Sequence, residues 1–197
     1  DLVRSRGLGD VYKRQGHTDG HKGAGATFEE EGLLDETLVV FWNDHGEQMF
    51  EHGEQSHGYG LNREENDGFA AFWGPGVAPG RHAGPTHSVD LLPTVLDALG
   101  VPPGDEPLSG YVVGTAPADR ARYAATVARS GPLVSVTQGG AKLVYDLDDG
   151  TLGYWDRVAD PEERVDRYDP RDPAVRDAWR LLRERGRLLA ALAPEWG

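Results

Sequence analysis

The chain of 197 residues, 38% hydrophobic and 27% charged, is long enough to bury one substantial core. Its 33 acidic against 20 basic side chains, a formal net charge of -13, leave no clustered cations for a nucleic acid or an anionic membrane. With no cysteine it forms no disulfide, zinc finger or iron–sulfur cluster, and its longest apolar run, Leu38–Trp42, is far too short to span a bilayer.

Residues 1–15 (DLVRSRGLGDVYKRQ) are basic and carry neither helical nor strand periodicity. Asp10–Gln15 back-translates as GAT GTG TAT AAG AGA CAG, a string similar to a transposon end used in preparing sequencing libraries. The expectation is a translated adapter, with native sequence from near Gly16; a natural disordered leader is the alternative. Gly16–Ala26 is rich in Gly and His and has no readable pattern. Thr27–Glu31 reads as the end of a helix stopped by Gly32. Thr37–Trp42 (TLVVFW) reads as a strand buried on both faces. The chain then turns abruptly polar over Asn43–Gly60, which holds His45, His52 and His57. Phe69–Trp73 is a second apolar run, ended by the turn signal Gly74-Pro75-Gly76. Asp90–Leu99 reads as a short helix with Asp90 as N-cap, Pro93 in the first turn and Gly100 closing it.

The later residues have another texture. Tyr123–Ala128, Leu133–Thr137, Lys142–Leu147 and Leu152–Asp156 are short strand-like runs separated by Ser-Gly-Pro, Gly-Gly and Asp-Asp-Gly, the mark of consecutive antiparallel strands. Over Pro173–Ala193, Val175, Ala178, Trp179, Leu182, Leu189 and Leu192 fall on one helical face. The fold class is therefore α/β: part of a mixed sheet with helices over residues 16–120, then a small antiparallel sheet with a covering carboxyl-terminal helix over 121–197.

Chemistry-bearing residues concentrate in Asn43–Gly60, and all 7 histidines precede residue 88. Asp44 and His45 follow a strand, and in open α/β sheets sites are built beyond the carboxyl ends of strands. Such a pair can offer one cation a hard oxygen and an imidazole nitrogen, while Gly46 relieves crowding behind them. His57, followed by Gly58 and Gly60, can point an imidazole at an anionic substrate from a loop. Spacing alone leaves this metal site open beside a plainer reading, an Asp-His pair capping a helix with surface histidines beyond. His52 and His87 are expected to be structural, and Glu64 and Glu65 to fix the loop by hydrogen bonds or ion pairs. Trp42, Phe72 and Trp73 are expected in a core. His17 and His21 carry no weight.

From Gly32 onward the sequence resembles the sulfatases of the alkaline phosphatase superfamily. GLLDETLVVFWNDHGE (Gly32–Glu47) is similar to that family's helix end, central strand and metal-binding Asp-His. EHGEQSHGYGLNREEN (Glu51–Asn66) resembles the loop bearing a basic substrate contact, which falls on His57. FWGPGVAPG (Phe72–Gly80), HSVDLLPTVLDALGVPPG (His87–Gly104) and the stretch Gly139–Arg164, with KLVYDL and ADPEER, match later signatures in order. The resemblance implies transfer of a sulfuryl or phosphoryl group by in-line displacement, with Asp44 and His45 as two metal ligands and His57 as catalytic and substrate-binding residue. It implies one divalent cation: Ca²⁺ in a sulfatase, Mn²⁺ or Zn²⁺ in a phosphoryl-transfer relative. The implied substrate is a small-molecule or glycan sulfate ester, or a phosphate ester; the oligomeric state is left open. Export to the periplasm or outside the cell follows family habit, with a cytoplasmic protein as the alternative.

The family's nucleophile motif, Cys or Ser followed by x-Pro-x-Arg and oxidised to formylglycine, is absent from these residues, as are the earlier acidic metal ligands. The expectation is the carboxyl-terminal part of a sulfatase-like enzyme, inactive by itself, with formylglycine upstream. Two alternatives stand beside it. One is a phosphodiesterase, phosphonate monoester hydrolase or phosphoethanolamine transferase of the same fold; the other is a non-catalytic relative with a binding or structural role.

Overall fold

The computed structural model describes residue 28 and residues 30–105, 107–129 and 131–192, with backbone alone over 188–192. The expected leader 1–15, the Gly/His-rich stretch with His17 and His21, and the side chains of Leu189 and Leu192 lie outside the described residues. Two compact units are present, one taking in residues up to 42 with 70–116, the other 43–69 with 117–197. Among the described residues no helix is long and apolar enough to cross a membrane.

In the first unit a helical turn at Phe28 and Glu30 ends where Gly32 takes φ 68°, and the N–H of Leu33 returns to the Phe28 carbonyl at 2.9 Å. That is the left-handed stop that the glycine suggested. Strand β1 (Val39–Trp42) pairs antiparallel with β4 (Ala70–Trp73), Val39 opposite Trp73 and Trp42 opposite Ala70. The expectation of burial on both faces is corrected here. Val39, Val40 and Phe41 are half-buried and Trp42 is 54% exposed, because β4 is β1's one sheet partner among the described residues.

The expected helix also shifts its cap. A 3₁₀ turn, Ser88–Asp90, leads straight into α2 (Leu91–Ala98), so Asp90 is helical and does not cap α2. His87 is the N-cap: its Nδ1 accepts the Val89 N–H, and Asp90 Oδ2 accepts the His87 N–H at 2.9 Å, a reciprocal capping box. Asp90 Oδ1 also accepts the Tyr111 N–H at 2.9 Å, which accounts for a carboxylate only 2% exposed.

The second unit is built on a four-stranded antiparallel meander, β5 (Arg122–Ala128), β6 (Gly131–Gln138), β7 (Ala141–Asp146) and β8 (Leu152–Asp156), in that spatial order. Gly139 and Gly140 both take positive φ, 57° and 89°, between the paired Gln138 and Ala141, giving the two-residue hairpin whose twist matches its strands. Strand alternation then assigns two faces. One carries Val136, Leu143 and Tyr154, closed by Val175, Ala178 and Leu182 of α3 (Pro173–Leu192). Trp179 meets Tyr145 edge-to-face at 5.0 Å. Asp172 caps α3 through the Ala174 N–H at 2.8 Å, with Pro173 in the first helical position.

The opposite face of the meander carries Leu133 and Ala128, packed with Leu61, and the polar Ser135, Thr137 and Lys142, all buried. Segment 43–69 lies against this face, bringing β2 (Gln48–Met49), β3 (Gln55–Ser56) and α1 (Arg63–Asn66). The junction is ionic. Lys142 donates from Nζ to Glu163 Oε2 at 2.6 Å and to the Leu61 carbonyl, while Glu163 Oε2 also accepts the Arg63 N–H at 3.2 Å. Arg157 lies 2.9 Å from Glu163 Oε1 and pairs with Asp67. Burial pulls the Lys142 ammonium below the usual lysine range, and the Glu163 charge opposes that pull. Removing one partner of such a pair costs more than the pair contributes, because the other charge stays buried. Lys142→Met is accordingly expected to lower the unfolding free energy by about 3 kcal/mol, read from urea titration, with Arg157 retaining part of the compensation.

Candidate active site

Immediately after β1, Asn43 folds the chain back on itself. Its backbone N–H reaches the Phe69 carbonyl at 3.3 Å, its Oδ1 accepts the Phe69 N–H at 2.7 Å, and its Nδ2 donates to the His45 carbonyl at 2.8 Å. Gly46 then passes so close to α1 that a Cβ would sit 2.0 Å from the Glu64 carbonyl oxygen. Only glycine fits this approach, and its N–H bonds the Glu65 carbonyl at 2.9 Å.

The hairpin β2–β3 sets Gln48 opposite Ser56 and Met49 opposite Gln55. Ser56 and Gly58 both take positive φ, 84° and 85°, so the backbone around His57 is bent out of the strand path. What holds the bend is Glu65, only 5% exposed on α1. Its Oε2 accepts the N–H groups of Gly58, Tyr59 and Gly60 at 2.7, 3.2 and 3.4 Å, and its Oε1 accepts from Nε2 of the buried Gln48. Glu64 takes a separate partner, with His52 Nε2 3.0 Å from Glu64 Oε2. On the outer side of the loop, the Arg129 N–H bonds the Gly58 carbonyl at 2.9 Å. The Arg129 guanidinium stacks 4.5 Å from the Tyr59 ring centroid and donates to its hydroxyl at 2.8 Å.

These constraints bring His45 and His57 together, their ring centroids 4.2 Å apart and the planes tilted by 44°. His57 Nδ1 is 2.7 Å from Glu47 Oε1. Asp44 stands beside them: its Oδ1 accepts the His45 N–H at 3.0 Å and its Oδ2 is 3.8 Å from His45 Nε2, with the side chain 84% exposed. One donor atom each from His45, Glu47 and His57 lies within 4.8 Å of the others, and these three residues are exposed. The sequence places Glu47, Glu51 and Glu54 near His57, and the structure makes Glu47 the one that meets it. It is carried one residue before a two-residue strand with no alternating pattern, so the sequence did not set it apart from the other two glutamates.

The electrostatics follow from these contacts. The Gly46 carbonyl, 2.9 Å from Nδ1, is the first cause that raises the His45 pKa, with Asp44, Glu47 and Glu65 adding to it against some desolvation. The hydrogen bond from His57 holds Glu47 below the usual carboxylate range, and the His45 N–H does the same for Asp44. The donor set thus offers carboxylate oxygens and imidazole nitrogens at one exposed place, donor types that suit a divalent cation.

Comparison with known proteins places these residues in context. A family model described as Sulfatase matches residues 25–101. The choline-sulfatase of Rhizobium meliloti (strain 1021) is 33% identical over 168 residues, covering 77% of this chain and 31% of that protein. Among solved structures, BT4656 in complex with its substrate D-glucosamine-2-N,6-O-disulfate superposes with a TM-score of 0.66 at 23% identity, covering 82% of this chain and 36% of that one. The phosphonate monoester hydrolase SpPMH from Silicibacter pomeroyi gives 0.60 at 25% identity, with 82% and 36% covered. The chain therefore spans about a third of the length of these relatives.

Two outcomes test the site's construction. Glu65→Ala strands three N–H groups and is expected to cost about 3 kcal/mol, with faster amide exchange at Gly58 and Tyr59. In NMR titration of the metal-free chain, the His45 imidazole is expected to lose its proton above the ordinary imidazole range. Because the folded pKa is the raised one, the stabilisation is full below the unfolded pKa and disappears as pH rises through the folded value.

Proposed function

Since the chain belongs to the sulfatase family, we propose that it forms the metal- and substrate-binding half of a site that hydrolyses sulfate esters. The observation that carries the reading is the convergence of His45 and His57 at 4.2 Å between the Asp44 and Glu47 carboxylates. Asp44 and His45 are adjacent donors on the same side of a fixed turn and are suited to be two ligands of one divalent cation, Ca²⁺ in the sulfatase reading. Such a cation, when bound, neutralises charge on the ester oxygens and activates a nucleophile.

The chain's own residues do the rest. Asn43 and Gly46 fix the His45 backbone, and the Gly46 carbonyl orients its ring by accepting from Nδ1. With Nδ1 backed by Glu47, the remaining ring nitrogen of His57 would, in the imidazolium form, donate to an ester oxygen or to the departing alkoxide. Glu65 keeps that imidazole from drifting, since a misplaced donor forfeits the advantage of position. In this reading the nucleophile comes from residues outside these 197, which contain no cysteine and no Ser-x-Pro-x-Arg. A sulfated small molecule or glycan is the proposed substrate. The likeness to a phosphonate monoester hydrolase supports a second reading in which the same half-site serves phosphoryl transfer.

In the intact protein that carries this segment, His57→Ala is expected to lower kcat by about 10²–10³-fold, with a smaller change in KM. An unchanged kcat removes His57 from the mechanism. The 197-residue chain alone is expected to turn over neither an aryl sulfate nor a phosphodiester, and turnover by it refutes the missing-nucleophile reading.

A further inference from the structure

We propose that Arg122, with Arg157 beside it, forms a binding site for a tetrahedral oxyanion, with sulfate as the type ion, at the edge of the meander's polar face. The site shares no residue with the loop that carries His45 and His57, and the binding does not depend on the hydrolase reading. Strand register sets its place. Arg122, the first residue of β5, lies opposite Thr137 of β6, and Thr137 lies opposite Lys142 of β7. Residues directly opposite in an antiparallel sheet share a face. Arg122 therefore continues the row of the buried Thr137 and Lys142 outward to β5, an edge strand among the described residues, and is itself half-buried there.

Charge is out of balance on this face. Lys142 and Arg157 both pair with Glu163, and Arg157 also pairs with Asp67. None of these pairs includes Arg122. Its Nε is shut off from solvent and, among the described residues, has no hydrogen-bond acceptor. Three cations thus share two carboxylates. Burial is the first cause that lowers the Arg122 pKa, and the Arg157 charge presses the same way; Asp67 opposes them, and Arg120 adds a further push downward. A guanidinium keeps its proton under such pressure, so what remains is a positive charge without a counter-charge. Buried donors are almost always met by an acceptor, and buried charges by an opposite charge. A bound anion supplies both at once.

Donor chemistry selects the ligand. A guanidinium offers its N–H groups as a planar fork that meets two oxygens of one sulfate or phosphate together, which chloride does not provide. Asp67, its side chain 39% exposed, leaves the place open to solvent, and its pairing with Arg157 offsets the repulsion it would exert on an anion. The formal net charge of -13 opposes a long polyanion laid along the surface, so the ligand is a small ion or a single sulfate group. Free inorganic sulfate and the sulfate group of a sugar share this chemistry.

The test titrates the 197-residue chain with sodium sulfate, against sodium chloride at equal ionic strength. Sulfate is expected to shift the Arg122 Nε–H signal in NMR along a saturating curve, while chloride leaves it in place. At ten times its Kd, sulfate is expected to raise the Tm of the parent by about 3–6 °C and that of Arg122→Gln by much less. Arg122→Lys keeps the charge without the fork and is expected to weaken binding at least about tenfold in calorimetry, whereas Arg180→Gln, on the exposed side of α3, changes it less than about twofold. A second arm with glucosamine 6-sulfate separates the two sources: a matching shift of the Arg122 signal assigns the site to sulfate groups of a sugar, and an unmoved signal assigns it to the free ion. The proposal is overturned if inorganic sulfate moves the Arg122 signal no further than chloride does, or if the folded Arg122→Gln variant gains as much from sulfate as the parent. Should that variant fail to fold, the Nε–H titration of the unaltered chain decides the question by itself.

Discussion

A carboxylate that is nearly out of water holds this site together. Glu65 sits on a single turn of helix, and its side chain is met by the N–H groups of Gly58, Tyr59 and Gly60 and by the Gln48 amide. An ionised carboxyl group in such a place is costly unless every lone pair has a donor. Here the donors come from two separate stretches of chain, 48 and 58–60, and Gly46, beside the first of them, adds a bond to the Glu65 carbonyl. His45 and His57 are each one residue away from these bonds. The spacing of the two imidazoles is therefore inherited from backbone contacts rather than made by the imidazoles themselves. That is why a site on an exposed loop can be as well placed as one on a strand.

Beneath it, the meander serves two masters. One face is an ordinary apolar layer, closed by Val175, Ala178 and Leu182. The other is buried and yet polar, with Ser135, Thr137 and Lys142 on it, and it meets the site-bearing segment through ions more than through hydrocarbon. Apolar packing tolerates sliding and repacking, while a charge pair with a fixed hydrogen-bond pattern permits one register. Arg63, Leu61 and Glu163 meet at such a point, so α1, and with it Glu65, is pinned to one position on the sheet.

Much of this was legible beforehand because the signals were local. Gly139-Gly140 dictates a hairpin turn by backbone conformation alone, and the flanking alternation of Val134, Val136, Leu143 and Tyr145 states which side faces α3. The spacing of Val175, Ala178 and Leu182 identifies a helix face without help from the rest of the chain. The placing of His45 and His57 in one site was legible only through family likeness, since no periodicity joins residues across a hairpin whose strands are two residues long. That Glu47, rather than Glu51 or Glu54, meets His57 was not legible for the same reason. Asp90 looked like an N-cap because aspartate commonly is one, and the less usual choice of His87 turned it into the other half of a capping box. Trp42 reads as a core residue from its hydrophobicity, but a strand with one neighbour among the described residues leaves it half in solvent. Burial depends on what lies opposite, which a strand's own residues do not state.

The bond from the Arg63 N–H to Glu163 spans 100 positions of sequence. Its consequence appears during synthesis. At about 5–20 residues per second, the ribosome delivers Glu163 roughly 5–20 s after Arg63 has emerged. Until β5 to β8 have followed, the stretch bearing His45 and His57 has no sheet to rest on, while Glu65 can already gather its own loop. The nascent chain thus waits with a locally shaped but unanchored site, exposed to chaperones and proteases, until the turn after β8 brings Glu163 to clamp it.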